Sequence, residues 1–381
     1  VYAKKQWGGT KMSDIGTVLQ TAKSAGKKVV GVYCAYAPKE LALAAGALCF
    51  GLCATKEEGI PDGEKTLPRS FCPLIKSSYG LAATDKCPFF LHADLIVGET
   101  TCDGKKKMFE AMADFKKVHV MRLPSGYDGA EEHAYWLGEI KKLKQVLEEE
   151  LGTAITDAGL RQAIAEQNEE RRLMQRLSAL MKNDPVPLTG MDMLKLLWGR
   201  NFIVDRQDFC GQLREIVEDL ERKAVAGEAA LLRGAKRVLV TGVPTGAGSS
   251  EKVIRIIEEC GAAVVYMESC SGMKPFSRLV DETKPPLEAI AAYYLEIPCS
   301  CMTPNHRRME QFAPLIKEYR ADGVVDITWQ GCHTYNMESR ILQKHLQASG
   351  NVPFLQIETD YSQNDLEQIR TRVQAFLEMM G

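Results

Sequence analysis

Short apolar segments alternate with helical patterns at both ends of this chain, and that alternation restricts the fold more than any other feature. In the first part "KKVVGVYC" reads as a strand, "APKELALAAGA" as a helix and "LCFGLC" as a second strand. "ADLIVGETTC", the helix "GKKKMFEAMADF" and the strand "KVHVMRLP" follow. The pattern returns near residue 235 with "KRVLVTGV", a helix from Ser249, "AAVVYMESC", "DGVVDITWQGC" and "VPFLQIETD" ahead of "LEQIRTRVQAFLEMM". Strands separated by helices pair in parallel and are covered on both faces. The expected fold class is therefore α/β, with two doubly wound parallel-sheet domains.

Between them, "EIKKLKQVLEEELG", "DAGLRQAIAEQNEERRLMQRLSALMK" and "DFCGQLREIVEDLERKAV" carry charge at helical periodicity, broken by Pro185 and Pro187. The charge runs read as solvated helix faces. The organisation is an N-terminal α/β domain over 1–130, a charged helical segment over 131–230 and a C-terminal α/β domain over 231–381. The halves repeat in structure without aligning as a sequence repeat.

Several functions are excluded or disfavoured early. A net charge of −2 gives no electrostatic case for nucleic acid. The longest apolar stretch, "LALAAGALCFGLCA", contains two glycines and reads as a buried helix followed by a strand, so no membrane span is expected. The opening "VYAKKQWGGTKMSDIG" has no secretory pattern. Twelve cysteines are too sparse for a disulfide scaffold in a chain of this length. The expectation is a cytoplasmic protein with reduced thiols.

Where the cysteines fall carries the chemistry. Ligands of open parallel sheets gather at the carboxyl ends of strands. Cys34 ends "VVGVYC", Cys102 follows "ADLIVGETT", Cys270 ends "VVYMES" and Cys332 follows "VVDITWQG". Cys72 and Cys301 stand in loops before helices. Cys72 to Cys102 is 30 residues, and Cys270 to Cys301 and Cys301 to Cys332 are 31 each, spacings that suit one helix-plus-strand unit. Cys34 to Cys72 is 38, so the halves are not exact copies, and Cys53 is a closer positional counterpart of Cys270 than Cys34 is.

Three cysteines per half suggest iron–sulfur ligation. A zinc site normally shows ligands two to four residues apart, and neither the C-x-C of Cys299 and Cys301 nor the C-x₃-C of Cys49 and Cys53 is a zinc knuckle. Cys210, Cys260, Cys49 and Cys87 read as small buried hydrophobes. "TGVPTGAGSS" is not a P-loop; a strand-to-helix turn with Ser249 or Ser250 as N-cap explains it, and no ATP site is found. His333, beside Cys332, is a candidate proton donor.

Together "GVYCAYAPKELALAAGA", "TTCDGKKKMFE" and the terminal "IETDYSQNDLEQIRTRVQAFLEMM" resemble the 2-hydroxyacyl-CoA dehydratase and benzoyl-CoA reductase family of iron–sulfur proteins. The resemblance runs over nearly the whole chain. It implies that Cys34, Cys72 and Cys102 hold one 4Fe–4S cubane. "SCSGMKP", "IPCSCMTPN" and "WQGCHTYNMES" depart from the dehydratase pattern and are similar to the double-cubane cluster proteins of the same family. That likeness implies a second cubane on Cys270, Cys301 and Cys332, with Cys299 as alternate for Cys301, and a bridged 8Fe–9S cluster overall.

Family members of this kind take electrons from a separate ATP-hydrolysing 4Fe–4S reductase. The resemblance thus implies an oxidoreductase: a homodimeric terminal component that passes low-potential electrons to a small molecule. The first alternative is a 2-hydroxyacyl-CoA dehydratase subunit, a lyase with one 4Fe–4S cluster. A non-catalytic electron-transfer protein with closed clusters is the second, and a plain α/β protein with core thiols the third. Lys105, Lys106 and Lys107 sit in the first turn of a helix, where cations oppose the dipole. They either face an anionic centre or partner, or are plain solvated lysines.

Overall fold

Val29–Val32 is a run of β-branched residues around one glycine, buried along its whole length, and it forms the central strand β1. The computed structural model describes residues 15–231 and 233–380; of the opening segment only Ile15 and Gly16 fall within it. β2 (Leu48–Gly51), β3 (Leu95–Glu99) and β4 (Val118–Met121) complete a sheet ordered β2-β1-β3-β4, parallel throughout. Val30 pairs with Cys49 on one side and Leu95 on the other.

The second sheet repeats that order. β5 (Arg237–Gly242), β6 (Ala263–Glu268), β7 (Gly323–Trp329) and β8 (Phe354–Thr359) run β6-β5-β7-β8, again all parallel. In each sheet the chain reverses its direction of winding beside the first strand, at β1/β3 and β5/β7. The crevice outside the carboxyl ends of such a pair is where open α/β sheets place their ligands.

The charged middle is helical, over Ala130–Leu151, Asp157–Leu180, Gly190–Gly199 and Arg206–Val225. Gly152 ends the first helix in the left-handed conformation, and Thr156 starts the second by accepting the Gly159 N–H at 3.1 Å. Pro185 and Pro187 lie between the second and third, as expected. The reading of solvated faces holds for exposed pairs such as Arg176–Glu221 and Arg214–Glu169. It fails for Glu170, Arg171 and Arg200, which are buried. Glu170 and Arg171 share the face that carries Gln167, Met174 and Ser178, so the helix turns them toward the sheets rather than toward water.

The glycine-rich turn after β5 also differs in detail. Ser250 occupies the N-cap position, but its hydroxyl accepts from the Gly246 N–H behind it, not from the helix ahead. Thr55 closes this turn against the first half by donating to the Ala247 carbonyl at 2.6 Å. Tyr36 donates to the Ile297 carbonyl at 2.7 Å and Tyr361 to the Ala54 carbonyl at 2.9 Å. These bonds hold the strand ends of the two sheets together. Glu40 binds all three regions: it accepts from Arg171 at 2.6 Å and from Tyr294 at 2.7 Å. Among the described residues no helix is long and apolar enough to cross a membrane.

Candidate metal centre

The ends of β1, β3, β6 and β7 at the junction each lead into a cysteine. Cys34 follows β1 with φ at 55°, a left-handed backbone that costs a residue with a Cβ about 1–2 kcal/mol. Such strain persists where the surroundings over-determine it, as functional sites do. Cys102 follows β3 and heads the helix Asp103–Met112, its Sγ accepting the Lys105 N–H at 3.4 Å. Cys72 heads Pro73–Ala83 and Cys332 heads His333–Ala348. Three thiols therefore stand at helix N-termini, where the dipole favours negative charge. Cys270 follows β6, and Cys299 and Cys301 lie in the loop between Pro286–Leu295 and His306–Glu310.

The thiols gather in two sets, each drawn from both halves. Cys34, Cys270, Cys299 and Cys301 interact thiol to thiol, with Cys299 at the centre. Donation from Cys270, Cys301 and Cys34 holds Cys299 well below the ordinary thiol range, while contacts with Cys270 and then Cys299 hold Cys34 up and contact with Cys299 holds Cys301 up. Cys72, Cys102 and Cys332 make the other set: burial, then Cys332 and Cys102, push Cys72 up to about 12. Cys53 lies between, near Lys105 and Tyr361. Of the residues named from sequence, Cys72 and Cys102 thus neighbour Cys332, and Cys270 neighbours both Cys34 and Cys301.

Gly331 makes the second set possible. At φ +75° its Cα packs against the loop of Cys72, where an added Cβ would lie 2.5 Å from the Ser70 carbonyl oxygen. Gly331→Ala is expected to cost about 1–3 kcal/mol from backbone strain alone. It should also raise the rate at which a thiol reagent labels Cys72 and Cys332; unchanged labelling and melting would refute the close approach.

Two buried lysines lie among the sulfurs. Burial opposes the charge of Lys105, but Cys34, Cys53, Glu99 and Cys102 outweigh it and hold the ammonium protonated. Lys106 and Lys107 instead pair at the surface with Asp103 (3.1 Å) and Glu110 (2.7 Å). The three lysines thus divide between the two readings. Lys274 forms a 3.0 Å ion pair with Glu268 and neighbours Cys270 and Cys299. Tyr335 Oη stands 3.5 Å from Lys274 Nζ and 3.8 Å from Cys270 Sγ. Glu99, fully buried at the end of β3, has no well-formed hydrogen bond on either carboxylate oxygen among the described residues. Burial raises its carboxyl to about 8, so it is a neutral acid at pH 7.

This donor set fits an iron–sulfur cluster. The thiols are numerous and free, and two buried lysines lie beside them to offset thiolate charge. His333 is exposed at the first turn of its helix. Cys210 neighbours Glu170 and Arg206, Cys260 neighbours Arg370, Cys49 neighbours Lys39 and Arg206, and Cys87 neighbours Lys56. Sequence reasoning missed Glu99, Lys274 and Tyr335. Glu99, an acid inside an otherwise apolar strand, was the one with a visible signal.

Comparison with known proteins agrees with the cysteine pattern. Residues 34–380 match the family model described as 2-hydroxyglutaryl-CoA dehydratase, D-component. The chain is 44% identical over 358 residues to an Escherichia coli protein provisionally named dehydratase subunit YjiM, covering 94% of this chain and 93% of that one. It is 24% identical to the (R)-phenyllactyl-CoA dehydratase beta subunit of Clostridium sporogenes, over 95% and 94% of the two chains. It is 26% identical to one component of the benzoyl-CoA reductase of Thauera aromatica, over 45% of each chain.

Proposed function

The chain belongs to the 2-hydroxyglutaryl-CoA dehydratase D-component family, and from that premise we propose that it is the iron–sulfur component of a reductase system driven by a separate ATP-hydrolysing 4Fe–4S partner. The observation that carries this reading is the pair of cysteine sets. Seven thiols from both halves are more than one cubane needs. Cys34, Cys270 and Cys301, with Cys299 beside them, would hold one cubane, and Cys72, Cys102 and Cys332 the other, as a bridged 8Fe–9S centre. Such a cluster, when bound, supplies single low-potential electrons to a small molecule.

The chain's own residues do the rest. Lys105 and Lys274 offset the charge of the thiolates. Glu99 holds a proton on its carboxyl inside the site, and we assign proton supply to it first, with His333 as a donor from the solvent side. The chain would act as a homodimer.

A second reading has the names of the relatives in its favour. Two of the three similar proteins above are named dehydratase subunits, which supports a lyase with a single 4Fe–4S cluster. Iron and acid-labile sulfide, counted per chain on anaerobically purified protein, separate the two. About eight irons with slightly more sulfide than iron are expected for the first. About four, with equal sulfide, would replace it by the second.

A further inference from the structure

A cavity of about 70 Å³ lies between the strand ends and the helical middle. Sulfur forms part of its wall, from Cys34, Cys53 and Cys270, and charge forms another part, with Lys39, Glu170 and Arg200. The charged side is not balanced. Glu170 accepts from Arg200 Nε at 2.5 Å and from Arg206 Nη1 at 3.1 Å. Arg171 directs its nitrogens to Glu40 (2.6 Å), Asn168 (3.1 Å) and Tyr293 (3.1 Å). Three guanidinium groups and one ammonium thus share two carboxylates. Burial, and then Arg200 and Arg206, push Lys39 down to about 7, as expected where positive charge is in excess.

Two donors on this side are unused. Among the described residues Lys39 Nζ makes only a long contact, 3.5 Å to Asn201 Oδ1. Arg200, 7% exposed, bonds through Nε and stacks on the Phe276 ring at 4.5 Å; among the described residues its two terminal nitrogens have no acceptor. Compensation of the sulfur sets does not account for them. Lys105 and Lys274 neighbour those thiols, whereas the nearest charged groups and thiol to Lys39 are Arg200, Arg206, Cys49 and Glu170.

We propose that this cavity is a substrate pocket for a small carboxylate group, held by Lys39 and Arg200 with its carbon end toward the sulfur wall. The role of that wall rests on the iron–sulfur reading; the anion site does not. A guanidinium fork matches a planar carboxylate, and one carboxylate uses the two free donors. The excess positive charge and the free donors select a carboxylate, and that is the class assigned.

Calorimetry on anaerobically purified protein tests this with acetate as probe, and with acetamide and chloride as controls. Acetate is expected to bind saturably to the wild type and at least tenfold more weakly to Lys39→Met, which removes an uncompensated cation and should fold. Arg200→Lys, which keeps the charge beside Glu170 but loses the fork, should weaken acetate likewise. Acetamide should not bind and chloride should not compete. Equal acetate affinity in the wild type and both variants, no saturable binding, or equal displacement by chloride would each overturn the pocket. Iron is counted on the same samples and should not change in either variant. A wild type without iron would sink the cluster reading and leave the pocket to be decided by calorimetry alone.

Discussion

Cys102→Ala is expected to lose about half or more of its bound iron while keeping its fold, and Cys210→Ala to lose none. The two positions differ in surroundings, not in residue type. Cys102 heads a helix, accepts the Lys105 N–H and neighbours Cys72 and Cys332. Cys210 lies half-buried within the helix Arg206–Val225, where burial and then Glu170 raise its thiol to about 11, and a neutral thiol there is a packing residue. Far-ultraviolet circular dichroism on both variants separates iron loss from unfolding. Equal iron in the two would undo the ligand assignment.

Arg171→Leu should destabilise the protein by about 3–5 kcal/mol, because it leaves Glu40 buried without its cation. Glu40 is 0% exposed, and its other partner is the hydroxyl of Tyr294, which cannot neutralise it. The loss also unties the helical middle from the helix Lys39–Ala44 and from Tyr293 of Pro286–Leu295, so it reaches all three regions. Removing both charges, in Glu40→Leu/Arg171→Leu, should recover most of the stability, since breaking a buried pair is far more damaging than replacing it whole. The urea midpoints of wild type, single and double variants decide it. A double variant no better than the single would mean that Glu40 serves more than this pair.

The alternation of apolar strands and helices made the two parallel sheets legible in sequence, because strands buried on both faces read as continuous apolar runs. Strand ends named the cysteines for the same reason. What sequence could not give was neighbourhood. Spacing counts residues within a half, whereas Cys34 meets Cys270 and Cys299 only because the two sheets face each other across a junction closed by Tyr36, Thr55 and Tyr361. The charges around the cavity were hidden differently. In "NEERRL" Glu169 and Arg172 point outward while Glu170 and Arg171 point inward, and composition alone treats all four alike. Tracing the helical face through Gln167, Arg171, Met174 and Ser178 would have found them.

Because each thiol set spans both halves, the order of synthesis matters. Cys102 leaves the ribosome 230 residues ahead of Cys332. At about 5–20 residues per second that is a wait of roughly 10–50 s. During that interval the early thiols have a folded sheet beneath them and no sulfur partners above, open to oxidants and to stray metal. With the ligands proposed above, the full set of thiols would come together only after translation has passed residue 332.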